Sequence, residues 1–140
     1  MRQQRIDKLR ARCERLLIGG EAIQLEGEAV CIVYGVGLPR LGFGRSFLTN
    51  QRLIWIRRTV FPLLDRLLFW LPAQIELPIA SLNSVELMKN WGSPAFLVIE
   101  FGEDRHFFQL GKGPYPFIRN NPSTTAEWFR TIEEMRATVS

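Results

Sequence analysis

The stretch Gly44-Arg45-Ser46-Phe47-Leu48-Thr49-Asn50-Gln51-Arg52-Leu53-Ile54-Trp55-Ile56-Arg57-Arg58 decides how this chain is organised. Phe47 and Leu48 end one apolar run, Thr49-Asn50-Gln51 make a polar corner, and Leu53 to Ile56 form the next run. Asparagine tolerates left-handed backbone angles and bonds its own backbone two residues on, which suits Asn50 to the corner. β-Branched and aromatic residues on both sides favour a pleated, half-buried surface. The stretch reads as two strands of a hairpin with a short loop, and nothing in it is catalytic.

Outward from the hairpin, the bulk composition sets limits. The chain has 140 residues, 46% hydrophobic and 23% charged, which reads as one globular domain with a real core. Cys13 and Cys31 show no CxxC or metal-ligand spacing and sit in apolar patterns, so buried free thiols and a reducing compartment are expected. The basic N-terminus is not followed by the apolar stretch of a secretory signal. No run approaches the roughly 20 apolar residues of a spanning helix.

Charge is unevenly placed. Residues 1–18 carry six basic and two acidic side chains, whereas residues 19–140 carry twelve of each. The basic balance belongs to one segment, which argues against a nucleic-acid-binding domain with a basic face of its own. That segment reads as a helix over 2–17: Ile6, Leu9, Cys13, Leu16 and Leu17 fall on one stripe, and Gly19-Gly20 stops it. Its basic residues Arg5, Lys8, Arg12 and Arg15 suit either solvent or an acidic surface, and the narrow stripe favours docking on protein. We therefore divide the chain into a basic N-terminal helix, 1–18, and a domain, 19–140.

Before the hairpin, Glu21 to Tyr34 reads as one long strand or two around a bend at Gly27. Gly35 to Gly44 reads as a glycine-rich loop. Its glycine spacing fits no dinucleotide fingerprint, and it lacks the Gly-Lys-Ser/Thr of a Walker loop. Arg40 and Arg45 flank its second half and are candidate anion contacts, as are Arg57 and Arg58 at the end of the hairpin.

After the hairpin, Val60 to Pro72 (Val-Phe-Pro-Leu-Leu-Asp-Arg-Leu-Leu-Phe-Trp-Leu-Pro) is an apolar insertion, with nine large apolar residues in thirteen. As a short helix it would extend about 15 Å, half of a bilayer core of about 30 Å, so it cannot span. Leaving four such side chains in water would forgo on the order of 6–12 kcal/mol, comparable with the net stability of a domain. Its own domain, a partner protein or a membrane interface must cover it. Phe61, Leu64, Leu67, Leu68, Phe69 and Trp70 are the candidate contacts.

Further along, Gln74–Leu77, Ile79–Leu82, Ser84–Lys89, Phe96–Phe101 and Arg105–Leu110 read as strands, with turns at 90–94 and 102–104 and an irregular loop over 111–121. Thr124-Thr125-Ala126-Glu127 fits a capping box, and Trp128, Ile132, Met135 and Val139 then form the core face of a C-terminal helix.

About seven short strands followed by one aromatic-led helix, with Gly44 and Phe47 to Leu53 at their centre, resemble the GRAM domain and its bacterial PH-like relatives. Gly20-Glu21 ahead of the Leu-Thr-Asn-x-Arg-Leu segment, Ile75 to Leu82, and Phe107-Phe108 before the last helix carry the rest of the resemblance. It covers 19–139 and implies a mainly β (α+β) fold: a PH-like, partly open antiparallel barrel capped by the C-terminal helix, with the N-terminal helix added. It also implies a membrane-associated lipid- or protein-binding adaptor without enzymatic activity or cofactor. Two departures are the basic N-terminal helix and the apolar insertion; a third is that only Arg40 and Arg45 stand where lipid-binding PH domains carry several basic residues.

Chemistry-bearing residues point the same way. His106 is the single histidine, on an apolar strand where a satisfied structural role is expected, and no Cys-His pair or metal cluster is indicated. The adjacent Glu103 and Asp104 read as solvated turn residues. We expect a cytoplasmic, peripheral membrane adaptor whose partners are lipid headgroups or a membrane protein complex, and no nucleic acid. The alternative is a structural subunit capping a larger membrane complex through the same apolar and basic surfaces.

Overall fold

The computed structural model describes residues 2–35, 37, 39–58, 71–90, 93–112, 119–120 and 122–139. Most of the apolar insertion, including Phe61, Leu64, Leu67, Leu68, Phe69 and Trp70, lies outside them. The elements are α1 (Arg2–Leu16), β1 (Ile23–Tyr34), β2 (Arg40–Thr49), β3 (Arg52–Arg57), β4 (Gln74–Pro78), a 3-10 turn (Ile79–Ser81), β5 (Ser84–Asn90), β6 (Ser93–Phe101), β7 (Asp104–Lys112), β8 (Arg119–Asn120) and α2 (Pro122–Val139).

One antiparallel sheet runs in the order β4-β3-β2-β1-β7-β6-β5, with β8 added on β7. The long β1 is its spine, pairing with β2 along Ile23–Val33 and with β7 along Glu28–Tyr34. The sheet curls into a partly open barrel around one core. Ala29, Cys31, Leu48, Leu53, Trp55 and Phe108 face inward, and Trp128 and Ile132 of α2 close the end.

The opening hairpin holds as read. Phe47 pairs with Ile54 and Leu48 with Leu53, so the two strands present alternate residues to opposite faces. Leu53, Ile54, Trp55 and Ile56 are all buried because both faces are covered. Leu53 and Trp55 enter the barrel core, while Phe47, Ile54 and Ile56 join Cys13 in a second cluster under α1.

Several boundaries differ from the sequence reading. The glycine-rich loop is shorter, because Gly42 and Gly44 belong to β2. A β-carbon at Gly42 would stand 2.5 Å from Trp55 Cη2, and one at Gly44 2.8 Å from Trp55 Cε2. Those glycines make room for an indole, which is a packing role. The irregularity in β1 falls between Ile23 and Leu25, and Gly27 pairs regularly with Ser46. Ile79–Ser81 forms a 3-10 turn instead of a strand, following directly on Pro78. Gly111 and Lys112 extend β7 and pair with β8 where a wholly irregular loop was expected. Finally, α2 begins at Pro122, a residue suited to the first helical position, so Thr124 lies inside the first turn and not at the N-cap position.

Candidate functional site

Three polar constellations stand out, two built into the scaffold and one at an opening. The first is the corner of the hairpin. Arg52 grips Glu21 with two contacts, Nε to Oε2 at 2.9 Å and Nη2 to Oε1 at 3.0 Å. It also donates to Glu76 and to the Leu16 carbonyl at the end of α1. Thr49 Oγ1 lies 2.6 Å from Glu21 Oε2 and accepts from the backbone amides of Gln51 and Arg52. Asn50 accepts from Ala22 N at 3.0 Å and donates to Gly20 O at 3.1 Å. Gly20 makes that approach at φ 82, a conformation favourable only to glycine. The sequence pairing of Gly20-Glu21 with Thr49-Asn50-x-Arg52 thus becomes a physical latch between the start of β1 and the β2–β3 corner. Burial opposes the Glu21 charge, but hydrogen bonds from Arg52, Thr49 and Ile18 outweigh it and hold the carboxyl below its usual range.

The second constellation crosses the outer face of the sheet. Glu26 and Glu28 alternate along β1, and Arg45 lies opposite Glu28 on β2. Arg45 donates to Glu26 Oε2 at 3.0 and 3.1 Å and to Glu28 Oε1 at 3.1 Å. Arg10 of α1 reaches Glu26 Oε1 at 2.7 Å, and Arg58 stands 3.7 Å from Glu28 Oε1. A continuous chain of charges therefore runs from α1 to the root of the apolar insertion. Arg45 and Arg58, candidate anion contacts by sequence, are both buried, with carboxylates of their own chain beside them. The i, i+2 spacing of Glu26 and Glu28 on a strand was the signal that could have revealed this.

The third constellation lies at the barrel mouth. Val33 pairs with Arg40 on one side and with His106 on the other, so the three share one rung and one face. Arg40, Asp104 and His106 line a cavity of about 260 Å³ with Leu71, Ile75 and Phe101. His106 is 5% exposed and stacks on Phe108 with ring centroids 6.3 Å apart. Among the described residues its Nδ1 is buried without a hydrogen-bond partner. Burial lowers its pKa, partly offset by a backbone hydrogen bond to Ile99.

The other candidates fall in two groups. On α1, Leu9, Cys13, Leu16 and Leu17 pack against the outer cluster, and Arg5, Lys8 and Arg15 remain exposed with Arg12 half-buried. Arg57 donates from Nη1 to the Leu71 carbonyl at 2.9 Å, clamping the return of the chain. As for catalysis, Cys13 and Cys31 are free and buried, and burial pushes the Cys13 thiol up to about 11 and the Cys31 thiol up as well. Neither is an activated thiolate. Among the described residues, no group of three or more His, Cys, Asp or Glu could hold a metal ion, and no helix is long and apolar enough to cross a membrane.

No family model matches the sequence, and no curated protein matches it. Solved structures do. The N-terminal PH domain of Vps36 is similar at TM-score 0.56 and 18% identity, over 88% of this chain and 84% of that one. The curled sheet, its strand order and the capping C-terminal helix decide the matter together with that match. The chain has a PH-like fold. The C-terminal domain of an unknown protein from Leishmania infantum aligns at TM-score 0.56 and 12% identity, over 91% of this chain and 94% of that one. The hSac2 domain of the human phosphoinositide phosphatase Sac2 aligns at TM-score 0.54 and 12% identity, over 100% of this chain and 85% of that one. In this PH-like domain the mouth cavity lies beside Arg40 at the start of β2, and α1 is held on the outer face of the sheet.

Proposed function

We propose that this PH-like domain is a non-enzymatic adaptor that associates peripherally with an anionic membrane surface. The observation that carries the reading is the ion chain Arg10–Glu26–Arg45–Glu28–Arg58. It ties the basic helix and the root of the apolar insertion to one face of the sheet. With its apolar stripe engaged by Phe47, Ile54 and Ile56, α1 has Arg5, Lys8 and Arg15 outward as a fixed basic surface. Basic attraction and apolar insertion are two signals that together give usable membrane affinity, each basic residue adding about 1 kcal/mol near an anionic surface. The apolar signal is the run that includes Phe61, Leu64, Leu67, Leu68, Phe69 and Trp70. Arg40 at the mouth is the remaining exposed candidate for a headgroup.

Co-sedimentation with phosphatidylserine-containing vesicles tests the reading. Binding should fall with salt, and by about a hundredfold or more when Arg5, Lys8 and Arg15 are reversed in charge, as expected when three charges worth about 1 kcal/mol each are lost. It should also fall when Leu67, Phe69 and Trp70 become serine. Absence of binding, or binding indifferent to both sets, rejects the membrane reading and leaves the same surfaces to a partner in a protein complex, which affinity capture from native membranes identifies.

A further inference from the structure

Among the described residues the sheet ends in two unpaired edges, β4 and β5. They differ in kind. β4 has five residues, ends in Pro78 and is followed at once by a 3-10 turn, features that discourage further strand pairing. β5 has seven residues and pairs with β6 alone, so its outer edge presents backbone donors and acceptors. Beside that edge, between β5 and α2, runs an open groove of about 600 Å³. Leu87 and Phe129 form its apolar walls, Ala126 and Ala137 keep it shallow, and Arg130, Glu133 and Glu134 rim it.

We infer that this edge and groove form an isologous interface with a second copy of the chain, the two β5 strands pairing antiparallel about Leu87 and the two α2 helices meeting alongside. A two-fold axis sets a patch against its own reverse, so the patch must complement itself. This one does. Along α2 the groove residues run Ala126, Phe129 and Arg130 on one side of the midpoint, and Glu133, Glu134 and Ala137 on the other. Reversal about that midpoint sets Arg130 against the partner's Glu133, with the partner's Glu134 one position further and facing Phe129, and sets Ala126 against the partner's Ala137. Arg130 and Glu134 are exposed, and although they stand four apart on the helix they form no ion pair with one another. Their charges are available to a neighbour.

The strands agree with the helices. Antiparallel pairing about Leu87 puts Val85 beside the partner's Lys89 and Glu86 beside the partner's Met88, with no like charges opposed. Met88, a large hydrophobic residue left 41% exposed, gains cover. An extended peptide from another protein could add to the same edge, but it would give no reason for charges arranged in reverse about the groove's midpoint. The self-complementary pattern selects a second copy.

Sedimentation velocity on the full chain over a range of concentrations is the test. The expected result is a concentration-dependent dimer. Arg130→Glu and Glu134→Arg should each weaken it by about tenfold or more, since each opposes like charges across the axis. An equimolar mixture of the two variants should recover the dimer, because each supplies the charge the other lacks. Both positions are exposed, and unchanged circular dichroism establishes that the variants fold. A chain that stays monomeric, a dimer indifferent to both variants, or a mixture that fails to recover overturns the inference; the first leaves the groove to an extended peptide.

Discussion

The two ends of the β1–β2–β3 layer carry similar residue types under opposite conditions. At the corner, Glu21, Thr49, Asn50 and Arg52 engage one another and the neighbouring backbone. At the mouth, Arg40, Asp104 and His106 line a cavity, and His106 Nδ1 is buried with no hydrogen-bond partner among the described residues. A buried polar atom costs free energy unless it is bonded, so a satisfied network fixes structure whereas an unsatisfied one contributes little to it. The corner belongs to the architecture, and the mouth is where polar chemistry is left available.

That contrast can be broken most severely at the corner. Glu21→Ala removes two of the Arg52 contacts and the carboxylate partner of Thr49, leaving the guanidinium only Glu76 and the Leu16 carbonyl, and should destabilise the domain by about 3 kcal/mol, read as a lower midpoint in urea unfolding. If Glu21→Ala costs no more than a surface substitution, the corner is not the latch described. Gly44→Ala comes next: its added β-carbon meets Trp55 and the Ile56 carbonyl, an overpacking worth about 2 kcal/mol in the same experiment. Asn50→Ala removes two hydrogen bonds at an exposed site, a loss of about 1 kcal/mol.

At the mouth the effects should be smaller and pH-dependent. The folded state holds His106 neutral, with a pKa below 6.5, so its contribution is fully present above pH 6.5 and is lost as the pH falls and the unfolded chain takes up the proton. His106→Gln should flatten that part of the stability profile. Glu21 acts lower on the scale. Its folded carboxyl titrates below 4.5, so its stabilisation is intact above that value and fades as the pH drops through the folded pKa. A profile whose slope near pH 6 survives His106→Gln would remove the mouth from this account. Arg40→Ala, at an exposed position, should change stability by no more than about 0.5 kcal/mol.

Much of the architecture was readable because hydrophobic period and turn chemistry are local. The hairpin from Gly44 to Arg58, the strands flanking Gly102, both helices and the buried cysteines all rest on patterns of a few residues. Misreadings came where a distant residue decided the outcome. Nothing beside Gly42 and Gly44 reveals that Trp55 needs the space, so strand glycines looked like loop glycines. Arg45 looked like an anion contact because its carboxylates stand 17 and 19 residues away along the chain. The place of His106 at the barrel mouth was equally hidden, because strands from three parts of the chain assemble that mouth.

β1 has a consequence for how the chain is made. Ile32 meets Leu41 on one side, nine residues on, and Phe107 on the other, seventy-five residues on. Closing the short loop costs far less entropy than closing the long one, and an emerging chain offers its N-terminal part first. The α1–β4 meander can therefore form on the ribosome while the second edge of β1 waits for β7. During that interval the spine of the finished barrel is an open edge rich in Val and Ile, the stage at which an aggregating strand competes best and at which a folding chaperone has the most to protect.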